Sequence, residues 1–102
     1  MRIVFVTCPP KKGYEFLKIL LEERLVAGGN IISGVRSLYH WKSEIRDEQE
    51  EILLMETSEA KVEAMINRLK TLHPYEIPKI LTFEPNEGLA EYLNWVVLET
   101  NG

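Results

Sequence analysis

Two prolines four positions apart, Pro74 and Pro78, bar a helix from running through the most chemically loaded stretch of this 102-residue chain. Each ring fixes φ, removes a backbone N–H and drives its predecessor away from the helical region. The segment His73-Pro74-Tyr75-Glu76-Ile77-Pro78 must therefore end one element and lead stiffly into an extended one. Between and beside the rings sit an imidazole, a phenol and a carboxylate, groups that bind ions or move protons. A short rigid connection with that chemistry is a candidate site as well as a hinge.

Hydrophobic periodicity on either side of the hinge sets the element order. Ile3 to Thr7 is a β-branched run ended by Cys8-Pro9-Pro10, and predicts a buried strand. Lys11 to Leu25 has helical spacing, with Phe16, Leu17, Leu20, Leu21 and Leu25 on one face, and Gly28-Gly29 as its stop. Asn30 to Ile45 is β-branched and aromatic and too long for an ordinary strand, which predicts a bend or bulge near Gly34. A charged turn, Arg46-Asp47-Glu48-Gln49-Glu50, leads into a strand over Glu51 to Thr57. Ser58 to Leu72 predicts a second helix capped by Thr57 or Ser58 and buried through Val62, Met65, Ile66, Leu69 and Leu72. Ile77 to Glu84 predicts a fourth strand. Glu87 to Thr100 predicts a third helix with Leu89, Tyr92, Leu93, Val96 and Val97 inward.

That order is βαββαβ plus a C-terminal helix, an α+β, ferredoxin-like split βαβ fold with an antiparallel sheet and helices on one face. The whole chain, 1–102, reads as one domain. Strands one and three lie centrally in this topology, so the long second strand is an edge carrying Tyr39, Trp41 and Ile45. A bare edge recruits other strands, which predicts that another subunit covers it. Tyr39, Trp41, Ile45, Tyr92 and Trp95 are the expected oligomer interface.

Composition narrows the function classes. Twelve basic against sixteen acidic residues give a net charge of −4, which argues against a nucleic-acid partner. No apolar run approaches membrane-spanning length and the N-terminal stretch lacks a signal-peptide pattern, so no membrane partner and a cytoplasmic location are expected. The one cysteine, Cys8, cannot close an internal disulfide, in keeping with a reducing compartment. No CxxC, HxH or HExxH spacing occurs, and Gly28-Gly29 follows a helix instead of opening one on a phosphate. Nothing pairs a nucleophile with a base at diagnostic spacing, so no enzyme is expected.

Four pieces in order, Glu23-Arg24-Leu25-Val26-Ala27 with Asn30, Ser37-Leu38-Tyr39-His40-Trp41, Leu72-His73-Pro74-Tyr75-Glu76-Ile77-Pro78 and Glu91-Tyr92-Leu93-Asn94-Trp95, resemble the CutA family of divalent-ion tolerance proteins. The resemblance spans nearly the whole chain. It implies a homotrimer of ferredoxin-like subunits joined through strand edges, similar in architecture to the PII signalling proteins. It also implies a role in tolerance of copper and other divalent cations, with no required cofactor. Two positions depart from the family pattern. Gly28 stands where many members carry a cysteine, and Lys79 stands where a glutamate is common.

Each candidate site has a structural alternative. His73, Glu76 and Cys8 are the expected metal contacts, for copper or another divalent cation, since thiolates favour Cu(I). Equally, a histidine ending a helix can serve its last carbonyls, and a lone cysteine at a strand end can be a small buried hydrophobe. Arg24, Trp41 and Tyr75 are the expected lining of a cleft for a small anionic or organic ligand, the PII-like alternative to metal tolerance. Arg24 and Arg36 can instead pair with surface glutamates. The run Asp47, Glu48, Glu50, Glu51 reads as a solvated hairpin turn. A homotrimer, a divalent cation and an unidentified protein partner are the associations to look for.

Overall fold

The computed structural model describes residues 1–101. Four antiparallel strands, β1 (Arg2–Cys8), β2 (Gly28–Trp41), β3 (Glu44–Thr57) and β4 (Ile80–Phe83), form one sheet in the order β2-β3-β1-β4. Helix α1 (Lys12–Glu22) joins β1 to β2, and α2 (Val62–Leu72) joins β3 to β4 behind a one-turn 3₁₀ helix, Glu59–Lys61. A third helix, α3 (Ala90–Glu99), follows β4. This is the ferredoxin-like α+β arrangement, with β1 and β3 central and β2 and β4 at the edges.

Strand alternation decides what is buried. Val4, Val6 and Cys8 of β1 and Leu53 and Met55 of β3 point to one face, where they meet Phe16, Leu17 and Leu20 of α1 and Met65 and Leu69 of α2. Each of these side chains is almost wholly withdrawn from water, which contributes roughly 1.5–3 kcal/mol apiece. The other face carries Ile3, Phe5, Ile52, Leu54, Leu81 and Phe83, brought side by side by the register Phe5↔Leu54, Phe5↔Leu81 and Ile3↔Phe83. No helix from the two βαβ units covers it. Leu81 and Phe83 remain 55% and 48% exposed, more apolar surface than a lone soluble subunit usually presents.

Several boundaries differ from the sequence expectation, each for a local reason. Helix α1 ends at Glu22, and Arg24 takes the left-handed position with φ 56°. Gly28 and Gly29 are not its stop; they open β2, paired with Glu56 and Met55. Leu21, still within the helix, is 39% exposed and lies off the stripe that buries Phe16, Leu17 and Leu20.

Residues 46–50 are not a turn but part of β3, each paired with β2. The hairpin reverses at Lys42-Ser43, both with positive φ (49° and 68°), as two-residue type I′ turns require. The expected bulge is present: Ile32 faces Ile52 but Val35 faces Glu50, so Ser33 and Gly34 together oppose Glu51, with Gly34 at φ 73°. One extra residue kinks the ribbon and increases its twist.

The strand β4 is shorter than expected, because Pro78 and the residues before it stay irregular. Helix α2 loses its first turn to the 3₁₀ helix, and Ser58 makes no capping bond to it. Thr57 instead donates to the Leu25 carbonyl at 2.7 Å. Helix α3 departs most. Only Val96 is buried, while Leu89 and Val97, expected inward, are 67% and 52% exposed. Its Tyr92 hydroxyl donates to Glu56, and its Trp95 ring lies beside Gly28, both on the sheet face opposite α1 and α2.

Candidate functional site

The hinge between α2 and β4 is held by its histidine. His73 caps α2 in an extended conformation and is 6% exposed. Its Nε2 lies 2.8 Å from the Thr7 carbonyl, and its Nδ1 accepts the Tyr75 backbone N–H at 3.2 Å. A carbonyl can only accept and an N–H can only donate, so the ring is neutral with its hydrogen on Nε2. Both nitrogens are thereby engaged in binding the hinge to the end of β1. The ring also packs against Phe16 and Tyr75, with centroids 5.6 and 4.6 Å away.

Tyr75 carries the chain of contacts onward. Its hydroxyl donates to Glu50 Oε2 at 2.9 Å, and Glu50 is itself only 4% exposed. Burial, the bond to Glu50 and that carboxylate's charge all push the phenol upward, far from ionisation. Glu51, the next residue, points to the opposite face. Its Oε1 accepts the Gly13 N–H at 3.0 Å and its Oε2 the Ser33 hydroxyl at 3.1 Å. A β3 carboxylate thus satisfies the first turn of α1, whose own N-cap, Lys11, supplies no side-chain bond.

The three expected metal contacts are not arranged as a metal site. His73 has no free lone pair. Cys8 is fully buried, and its thiol is pushed up to about 12, first by burial and then by Glu51 and Glu50, so it stays protonated instead of becoming the thiolate a metal requires. Glu76 is exposed, with Lys42 Nζ at 4.0 Å. Among the described residues no group of three or more His, Cys, Asp or Glu side chains is placed to hold an ion. The residues present do not fit a resident metal within one subunit.

An open groove of about 840 Å³ lies between the hinge and the outer half of the β2–β3 ribbon, on the uncovered sheet face. Trp41 and Tyr75, two of the three expected cleft residues, line it together with Tyr39, Arg46, Glu48 and Lys79. The third, Arg24, lies elsewhere, bonded to the carbonyl and carboxylate of Glu99 at 3.0 and 3.1 Å. Arg36 pairs in bidentate fashion with Asp47 at 2.6 and 2.9 Å. Of the expected interface residues, Tyr39 and Trp41 are half-buried in the groove, and Ile45 is 70% exposed on the ribbon's other side. Tyr92 and Trp95 stack on each other at 5.5 Å on α3.

Sequence reasoning missed the two buried acids, Glu50 and Glu51. The signal was strand parity: Glu51 is in phase with Leu53, Met55 and Thr57, all buried. Placing the turn at 46–50 hid that phase.

These elements define a ferredoxin-like α+β fold in which the sheet face opposite α1 and α2 meets α3 at Glu56 and Gly28 and keeps Leu81 and Phe83 about half exposed, with β2 as a long edge strand. A model of the CutA1 divalent ion tolerance protein family matches residues 2–99, and the chain belongs to that family. It is 38% identical over 95 residues to a divalent-cation tolerance protein CutA from Thermus thermophilus, covering 92% of each chain. A CutA homolog from Danio rerio is 37% identical over 95 residues. There the match takes in 92% of this chain and 63% of the relative, so the chain spans less than two thirds of that protein's length. The solved structure of the PII-like protein CutA from Nostoc sp. PCC 7120, in apo form, superposes with a TM-score of 0.93 at 36% identity, over 99% of this chain and 98% of that one.

Proposed function

We propose that this chain works as a non-enzymatic homotrimer in tolerance of divalent cations, copper among them, and that assembly is what makes the subunit competent. The observation that carries the reading is the exposed sheet face. Phe5, Leu54, Leu81 and Phe83 lie contiguously on the face opposite α1 and α2, with Leu81 and Phe83 about half exposed, beside a fourteen-residue edge strand. Surfaces of that kind are buried by association. The family's tolerance proteins supply the cation class. In this reading the cation is cargo, held weakly and from the exposed side of the hinge at Glu76, because His73 and Cys8 are committed to structure.

The test compares growth under toxic copper, zinc or cobalt in cells lacking the protein, cells restored with it, and cells restored with Leu81→Asp/Phe83→Asp. The expected result is that only the intact chain restores growth and that the double variant runs as a folded monomer. Full rescue by a monomeric variant would refute the reading. So would an equal sensitivity of cells with and without the intact chain.

A further inference from the structure

Past the end of β1, the β2–β3 ribbon stands on its own. β1 ends its pairing at Cys8, opposite Glu51, so residues 35–41 and 44–50 pair with each other alone among the described residues. Two strands by themselves hold their direction poorly. The ladder also breaks at this level: Ser33 and Gly34 together oppose Glu51, and Gly34 holds φ 73°. A bulge is where a strand bends. A Cβ added at Gly34 meets nothing within 4 Å, so packing does not stiffen this one.

Side-chain bonds hold the joint instead, from both faces of the sheet. Glu51 Oε1 accepts the Gly13 N–H at 3.0 Å, and its Oε2 accepts the Ser33 hydroxyl at 3.1 Å. One carboxylate thus ties the bulge to the first turn of α1. Glu50, one residue earlier and facing the other way, accepts the Tyr75 hydroxyl at 2.9 Å. Farther out, the ribbon supplies one wall of the groove with Tyr39, Trp41, Arg46 and Glu48, and the segment between α2 and β4 supplies the other with Ile77 and Lys79. At the ribbon's tip Lys42 Nζ lies 4.0 Å from Glu76 Oε2, but both side chains are largely exposed, so that pair adds little.

We propose that the outer ribbon is an arm pivoting at Ser33-Gly34, that Glu51 is the pin fixing its angle, and that this angle sets the width of the groove. Residues 35–41 rise about 3.3 Å each, an arm on the order of 20 Å long. A turn of about 10° at the bulge carries the tip, and the Trp41 wall with it, by about 4 Å. Neither Ser33 nor Glu51 lines the groove, yet both govern it. The coupling runs both ways. Whatever fills the groove and turns the arm works against Glu51, and so against the start of α1. The device is internal to one subunit and stands apart from the assembly reading.

Spin labels on Ser43→Cys at the tip and Lys70→Cys on α2, both exposed positions, read the arm's position by double electron–electron resonance. Cys8, fully buried, stays unlabelled. The doubly labelled chain is refolded with a large excess of unlabelled chain, so each distance comes from within one chain. The expected result is one narrow distance before any further substitution. Ser33→Ala should widen it by about 4 Å, and Glu51→Ala should widen it at least as much. Glu51→Gln should keep it narrow, since its amide accepts the Gly13 N–H and donates to the Ser33 hydroxyl. A second label pair, Lys18→Cys with Lys70→Cys on α1 and α2, should stay narrow throughout. An unchanged tip distance in Ser33→Ala, or a Glu51→Gln distance as broad as that of Glu51→Ala, overturns the pin. Equal broadening of both label pairs marks general loosening and overturns it too, as does a tip distance already broad before substitution. Should Glu51→Ala not fold, Ser33→Ala decides alone, because Ser33 is exposed.

Discussion

Replacing His73 by alanine separates a structural histidine from a metal ligand. The substitution leaves the Thr7 carbonyl and the Tyr75 N–H, now bonded at 2.8 and 3.2 Å, without partners. It also opens space beside Phe16, whose ring centre is 5.6 Å from the imidazole. Each stranded buried group costs about 1–3 kcal/mol, and water entering the hinge recovers part of that. Loss of ring packing adds a cavity cost. A net loss of about 2–4 kcal/mol follows.

His73→Gln keeps one amide N–H for the Thr7 carbonyl and should recover about half of the loss. Urea unfolding at one fixed protomer concentration reads both variants, since stability of an oligomer depends on concentration. Copper titration of the same samples supplies the second axis. The account predicts a large stability loss with copper affinity unchanged. A loss below about 0.5 kcal/mol with copper binding abolished would refute the assignment of both nitrogens to structure.

Three further outcomes follow from the packing. The Cys8 thiol rises from its ordinary 9.0 to about 12 on folding. The unfolded chain therefore ionises first as pH climbs, and this thiol's contribution to stability is whole below pH 9 and erodes by roughly 1.4 kcal/mol per pH unit above it. Cys8→Ala should flatten the profile of unfolding free energy between pH 9 and the onset of tyrosine ionisation; an unaltered slope would contradict the burial. Gly34→Ala places a side chain at φ 73° with nothing within 4 Å, so it should cost about 1–2 kcal/mol from backbone strain alone, read as a lower Tm with an unchanged oligomer mass. Gly13→Ala sets a Cβ 2.7 Å from Glu51 Oε1 and 3.2 Å from Ile31 and Leu53. It should destabilise despite alanine's higher helix propensity, whereas a higher Tm would show that Glu51 is free to move.

The parts of this fold that were legible in the sequence are those where periodicity and proline chemistry speak alone. The hydrophobic phase of β1, α1 and α2 and the breaks at Pro74 and Pro78 define βαββαβ without tertiary information. The bulge at Gly34 followed from strand length. What failed were reversals lacking their usual residues. Lys42-Ser43 forms a two-residue hairpin turn without glycine or asparagine, and Arg24 ends α1 in the left-handed conformation that Gly28-Gly29 seemed reserved for.

The candidate site was harder because its residues are defined by partners distant in sequence. His73 finds Thr7 from 66 positions away, and Glu51 finds Gly13 from 38. Titratable side chains advertise chemistry in a sequence even where the fold uses them as fasteners. Helix α3 was misjudged for a related reason. It is apolar around most of its surface, so no phase distinguishes a side turned to its own subunit from one turned elsewhere.

In the proposed assembly the exposed sheet face and the edge strand are buried between copies of this chain. Sedimentation equilibrium across a wide range of protein concentration tests it directly. The account predicts three times the 11.8 kDa subunit mass, falling to the subunit mass in Leu81→Asp/Phe83→Asp. A single 11.8 kDa species at every concentration of the unmodified chain would contradict it.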